Sequence, residues 1–158
     1  MGIGFLLSQL GANASNLFAE RLAPLGLAPP EAGVLHHISR HPGINQQVLA
    51  ERLGILPSRM VALVDGLEKR GIVERKRDAE DRRAYALNLT PTGLETLESL
   101  RAAARAHEEA LCAGLSGKER AQLLELFRKM AEAQSLTHGV HPGYKWMGRK
   151  GPAADDSV

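Results

Sequence analysis

The 158-residue sequence is short of several things, and each shortage excludes something. Its one cysteine, Cys112, excludes an internal disulfide framework and any multi-cysteine metal site, and it fits a reducing cytosol. No apolar run approaches the length that spans a bilayer, and residues 1–5 carry no basic leader region, so a soluble cytoplasmic protein is expected. Charge of one sign is lacking too: 20 Lys and Arg stand against 18 Asp and Glu, a net +2 that excludes a polycation or a polyacidic chain. No nucleophile–base spacing, glycine-rich phosphate loop or paired-carboxylate motif is present, so neither an enzyme nor a cofactor is expected. What is there, 44% apolar and 24% charged residues, is ordinary for one soluble domain.

The apolar residues are periodic. Ile3, Leu6, Leu7, Leu10, Ala14, Leu17, Phe18, Leu22 and Leu25 form one stripe of an amphipathic helix, closed by Pro24 and Gly26. Pro29 and Pro30 open a second helix with Val34, Leu35 and Ile38 inward, and His41-Pro42-Gly43 ends it. Ile44 and Asn45 start a short third helix, Asn45 as its cap and Ile44 as a staple on Leu49, and Gly54 stops it. A fourth helix spans residues 57–70, with Met60, Val61, Val64 and Leu67 inward.

The pattern then changes period. Residues 72–77 and 84–89 read as strands, the second alternating strictly, with residues 78–82 as a polar hairpin tip. Thr90-Pro91 caps and opens a long helix whose stripe is Leu94, Leu97, Leu100, Ala104, Glu108, Leu111 and Leu115. Ser116 and Glu119 form a capping box for a last helix carrying Leu123, Leu124, Phe127 and Met130. From Thr137 onward the composition reads as an extended tail.

Four helices, a β-hairpin and two helices make a mainly α fold with a small β-wing. A short helix, a tight turn, a second helix and an immediate hairpin form a winged helix-turn-helix, which sets one helix N-terminus in a major groove and a hairpin tip in a minor groove. On the side of the fourth helix left free by its apolar stripe lie Pro57, Ser58, Arg59 and Ala62, and Arg59 has the reach for a bidentate guanine contact. From Arg52 to Arg83 nine basic residues face six acidic ones, so this stretch alone carries +3. The expected DNA-contact set is Gln46, Pro57, Ser58, Arg59 and Ala62, with Arg75, Arg77, Asp81, Arg82 and Arg83 on the hairpin.

The run Leu63-Val64-Asp65-Gly66-Leu67-Glu68-Lys69-Arg70-Gly71-Ile72-Val73, then Asp78-Ala79-Glu80-Asp81-Arg82-Arg83-Ala84 and Leu89-Thr90-Pro91-Thr92-Gly93, resembles the MarR family of bacterial transcriptional regulators. The resemblance spans residues 5–133. It implies a homodimer on a pseudo-palindromic double-stranded DNA operator, with residues 1–28 and 91–136 as the dimerisation region. Residues 29–90 are then the DNA-binding lobe and 137–158 a C-terminal tail. It also implies that Arg82 or Arg83 enters the minor groove, oriented by Asp81, and that a phenolic or aromatic acid effector relieves repression. One departure from the family pattern is Leu56, where a Ser or Asp cap usually opens the recognition helix.

Asn16 and His37 are the candidate effector contacts. A metal- or oxidant-responsive regulator of the same fold is the alternative, with His37, His41, His107 and Glu108 as conceivable ligands. Pro42 and Gly43 argue against that set by unwinding the helix at His41, so no metal site is expected. Cys112, among Ala110, Leu111 and Ala113, reads as a buried small hydrophobe rather than a redox sensor. Tyr144 and Trp146 suggest that the tail docks on a dimer partner or near the effector pocket.

Overall fold

Asn45 and Gly54 bracket the element around which the chain is organised. The Asn45 side chain accepts hydrogen bonds from the N–H groups of Gln47 at 2.8 Å and Val48 at 3.4 Å, capping a helix in its first turn. Gly54 ends that helix in the left-handed conformation, φ 63°, which a Cβ would disfavour.

The computed structural model describes residues 2–77 and 84–146, with the backbone alone for Lys145 and Trp146. The elements are α1 (Ile3–Leu22), a 3-10 turn (Ala23–Leu25), α2 (Pro29–Arg40), β1 (Ile44–Asn45), α3 (Gln46–Leu53), α4 (Pro57–Lys69), β2 (Val73–Arg77), β3 (Tyr85–Leu89), α5 (Pro91–Leu111), α6 (Gly117–Ala133) and a 3-10 turn (Pro142–Trp146). The expected order of helices and wing strands is present, with one addition. Ile44 and Asn45 do not begin the helix but form β1, which pairs antiparallel with β3 and places Ile44 opposite Leu87. The wing is thus part of a three-stranded sheet in the order β1-β3-β2. A capping residue is already extended (Asn45 φ −64°, ψ 134°), so cap and strand are compatible in one residue. The first helix ends sooner than its stripe suggests, because Pro24 has no N–H to donate and the chain tightens into a 3-10 turn.

Most of the core lies between α2 and β3. Among the largest fully buried side chains are Leu35, Ile38, Leu49, Leu53, Met60, Leu67 and Leu87, and of that set only Leu22 lies outside residues 29–90. Each such burial contributes about 1.5–3 kcal/mol, and Leu22, Leu27, Leu97 and Leu100 complete the same cluster from outside that segment. The long α5 is seated on it through Thr90 and Gly93. The Thr90 hydroxyl accepts from the Gly93 N–H at 3.0 Å and donates to the Gly71 carbonyl. A Cβ on Gly93 would overlap the Ile72 carbonyl, which accounts for glycine in that first turn.

The outer helices are different. α1 buries only Leu22, α5 only Gly93, Leu97 and Leu100, and α6 nothing. The sequence stripes expected to face a core therefore do so only at the end of α1, through Leu22 with Phe18 and Leu25 beside it, and at Leu97 and Leu100 of α5. Leu94, Leu111, Leu124, Phe127 and Met130 remain 41–55% exposed, because nothing among the described residues lies over them. The α5 stripe also shifts by one residue at its far end, where His107 is half-buried and Glu108 exposed. α6 starts as expected: Glu119 Oε2 accepts from the Ser116 N–H at 2.8 Å and hydroxyl at 2.6 Å, which holds the Glu119 carboxyl below its usual range. Among the described residues no helix is long and apolar enough to cross a membrane.

Candidate nucleic-acid interface and ligand cavity

The turn after Gly54 delivers α4 with a bare N-terminus. Its N-cap is Leu56, which offers no side-chain acceptor, and Pro57 follows at the first helical position. Pro57, Ser58, Arg59 and Ala62 are all exposed, while Met60, Val64 and Leu67 anchor the opposite face in the core. The first-turn N–H groups, with the positive end of the helix dipole behind them, are left open toward an anion. Among the described residues Arg59 has no carboxylate partner.

Arg75 is arranged differently. Its side chain is only 13% exposed and meets Asp65 at 2.6 Å and Glu68 at 2.7 Å, both on α4. Its Nε donates to Gln46 Oε1 at 2.9 Å and another nitrogen approaches the Val61 carbonyl at 3.4 Å. Gln46 and Arg75, both expected to face DNA, are thus joined to each other and tie the wing strand to α3 and α4. Arg70 is engaged as well: it pairs with Glu31 at 2.6 Å and donates to the carbonyls of Gly66 and Gly26, fastening the end of α4 to α2 and to the turn after α1. Lys76 pairs with Glu74 at 2.6 Å. Arg77 is exposed at the end of β2, opposite Tyr85. Asp81, Arg82 and Arg83 lie outside the described residues.

A cavity of about 810 Å³ opens where α1, the start of α2 and the far end of α5 meet. Its walls are Gly11, Ala14, Ser15 and Phe18 of α1, Pro29 and Pro30, then Ala104, His107, Glu108 and Leu111 of α5, with Cys112. His141, Gly143 and Tyr144 close one side. The Phe18 and His107 rings lie 5.1 Å apart and tilted by 43°, and His107 Nδ1 is buried with no hydrogen-bond partner among the described residues. Burial, then the nearby Arg21 charge, push the His107 pKa down, which favours the neutral ring.

Asn16 is exposed on α1, and the His37 Nδ1–H donates to the Gly33 carbonyl at 3.1 Å. Neither residue lines this cavity. Cys112 is a correction: α5 ends at Leu111, so the thiol sits on the helix cap, half-exposed at the cavity wall rather than inside a packed helix. As Pro42 and Gly43 suggest, α2 ends at Arg40 and His41 is its cap, with the His41 N–H on the His37 carbonyl at 3.0 Å. Among the described residues no group of three or more His, Cys, Asp or Glu could hold a metal ion.

Residues 25–84 match the family model described as the MarR family. A putative transcriptional regulatory protein for the hcr operon of Thauera aromatica is 31% identical over 136 residues, covering 85% of this chain and 82% of that one. The chain belongs to the MarR family. A structure of the transcriptional repressor CouR, bound to a 23-mer DNA duplex, is similar at 34% identity and a TM-score of 0.74, covering 82% of this chain and 92% of that one. A MarR family protein of Mycobacterium tuberculosis in complex with salicylic acid has 27% identity and a TM-score of 0.66, over 82% and 96% of the two chains. This MarR-family chain is accordingly a winged helix-turn-helix, DNA-binding transcriptional regulator and not an enzyme.

The sequence of this MarR-family chain carries only a partial signal for the pairing of Arg75. Arg75 follows the buried Val73 by two positions and so shares its strand face, while Asp65 and Glu68 are three apart on one face of α4. The fold then sets that arginine against the two carboxylates. The cavity residues Phe18 and His107 had no such local signal, since they come from separate helices, whereas the aromatic Tyr144 in a polar tail pointed to docking near a pocket or on a partner.

Proposed function

We propose that this chain is a homodimeric, sequence-specific transcriptional repressor that a small aromatic acid releases from its operator. The observation that carries the reading is the exposed, uncapped first turn of α4, with Pro57, Ser58 and Arg59 outward and the rest of the helix locked in the core. In this reading Ser58 and Arg59 meet base edges in a major groove, with Ala62 alongside, and the first-turn N–H groups meet a phosphate. Arg77 leads toward the adjacent minor groove, where Arg82 or Arg83, oriented by Asp81, enters.

Residues 29–90 act as the DNA-binding lobe, and residues 1–28 with 91–136 dimerise. The apolar faces left uncovered on α1 and α6, including Phe5, Leu10, Leu124 and Phe127, support that division. Two lobes related by a two-fold axis call for a pseudo-palindromic operator.

The effector occupies the cavity beside Phe18 and His107. About 810 Å³ falls within the roughly 300–1,000 Å³ range of small-molecule sites. The walls, with the Phe18 and His107 rings among them, suit an aromatic ring, and the salicylic acid complex of the relative supports the class. Because the cavity joins α1 and α5 to the start of α2, filling it alters how the lobe sits on the dimerisation helices.

The test is a footprint of the purified protein on the DNA flanking its own gene, with and without salicylate. Two-fold symmetric protection that weakens steeply with salt and is lost with salicylate is the expected result. Protection indifferent to salicylate and to related aromatic acids overturns the effector class. No protection on any such duplex at low salt overturns the operator reading.

A further inference from the structure

Gly33 lies inside α2, where glycine is an unfavourable helix residue. The space above it is filled from elsewhere: a Cβ on Gly33 would stand 2.8 Å from Tyr144 Cζ and overlap the phenol oxygen. Tyr144 reaches that spot because the chain turns back after α6, at Ser135 (φ 53°) and Gly139 (φ 72°). Val140 and Tyr144 then pack against the core of the lobe. The returning segment is held locally, with the Tyr144 N–H on the His141 carbonyl at 3.0 Å and the Gly143 N–H on His141 Nδ1 at 3.0 Å. The segment expected to trail as a tail is therefore seated, as far as Tyr144, on its own chain.

Where it sits matters. His141, Gly143 and Tyr144 all line the cavity, across from Phe18, His107 and Cys112. We propose that residues 140–144 form a wall of the effector cavity and that Tyr144 determines which aromatic ligands fit. For its ligand the inference rests on the effector reading above; for its geometry it does not. Tyr144 joins the two parts of the molecule that an effector must affect, since its ring touches α2 of the lobe and faces a space lined by α1 and α5. A ring-shaped ligand in that space lies against the Tyr144 and His141 rings, which are 5.8 Å apart, with the Phe18 and His107 rings on the far wall. Burial also pushes the Tyr144 phenol up from its ordinary pKa, so this wall presents a neutral hydroxyl rather than a phenolate.

Cys112, the only cysteine, lines the same cavity and reports on it. The experiment compares the iodoacetamide alkylation rate of Cys112 in the full chain, in Tyr144→Ala and in Gly33→Ala, each with and without salicylate. Gly33→Ala displaces the tyrosine from the opposite side while improving the helix, so a shared effect is not a folding defect. The expected result is several-fold faster alkylation in both variants than in the unaltered chain. Salicylate should slow alkylation of the unaltered chain, with its apparent affinity about tenfold weaker in Tyr144→Ala. Equal rates in all three chains, with unchanged salicylate protection, overturn the proposal. Faster alkylation in both variants with no salicylate protection of any chain supports the wall and overturns salicylate-like acids as the ligand class.

Discussion

Arg75 Nε on β2 donates to Gln46 Oε1 at the start of α3, 2.9 Å away. The same guanidinium reaches Asp65 and Glu68 on α4, so one side chain fixes the wing against both helices of the DNA-reading pair. A basic residue in a DNA-binding stretch is here an internal strut.

Arg75→Ala is expected to weaken operator binding without removing a phosphate contact. Stability should fall by about 1–2 kcal/mol, since both carboxylates keep access to water. The slope of log affinity against log salt should stay unchanged, whereas loss of a phosphate-binding arginine lowers it by about 1. Titrations at several salt concentrations, set beside urea unfolding, separate the two. A reduced slope would show that Arg75 leaves its carboxylates for DNA.

Arg59→Ala acts on specificity instead. Its exposed side chain adds nothing to the core, so stability should hold within about 0.5 kcal/mol. Discrimination at one operator base pair should fall by about 1–3 kcal/mol, measured by competition against singly substituted duplexes. Uniform weakening across all duplexes would make Arg59 a phosphate contact.

Phe127→Glu tests the uncovered helix face. Phe127 is 42% exposed in the single chain and α6 buries nothing there, so the substitution carries little folding cost within one protomer. Dimerisation should weaken by about 2–4 kcal/mol, read by sedimentation, and operator affinity should drop with it. An undisturbed dimer would place the interface elsewhere.

His107 predicts a pH dependence. Burial and then the Arg21 charge lower its pKa below 6.5, so the unfolded chain binds this proton more readily than the folded one. Stability is full above pH 6.5 and declines as pH falls through that value, until the folded histidine is also protonated. Urea midpoints on either side of pH 6.5 should show the decline, and His107→Gln should remove this component.

The order of helices and wing could be read from the chain because the signals are local. Apolar period, the Asn45, Thr90 and Ser116 caps, and the stop at Gly54 act within a turn or two of themselves. Strand β1 escaped that reading because a two-residue strand has no period, and only pairing with β3 defines it.

Charge behaved in the same way. The sequence by itself determined a winged helix-turn-helix with a basic excess over residues 52–83, and with it the family. It could not say which cations are free. Arg59 and Arg75 are alike in sequence, yet one projects from an uncapped helix end and the other is held between two carboxylates. Tertiary structure alone decided that, as it decided the cavity and the docking of Tyr144 on Gly33. The physical reason is range: helix periods and caps are set by neighbours, whereas ion pairs, cavities and ring contacts are set by residues that only the folded chain brings together.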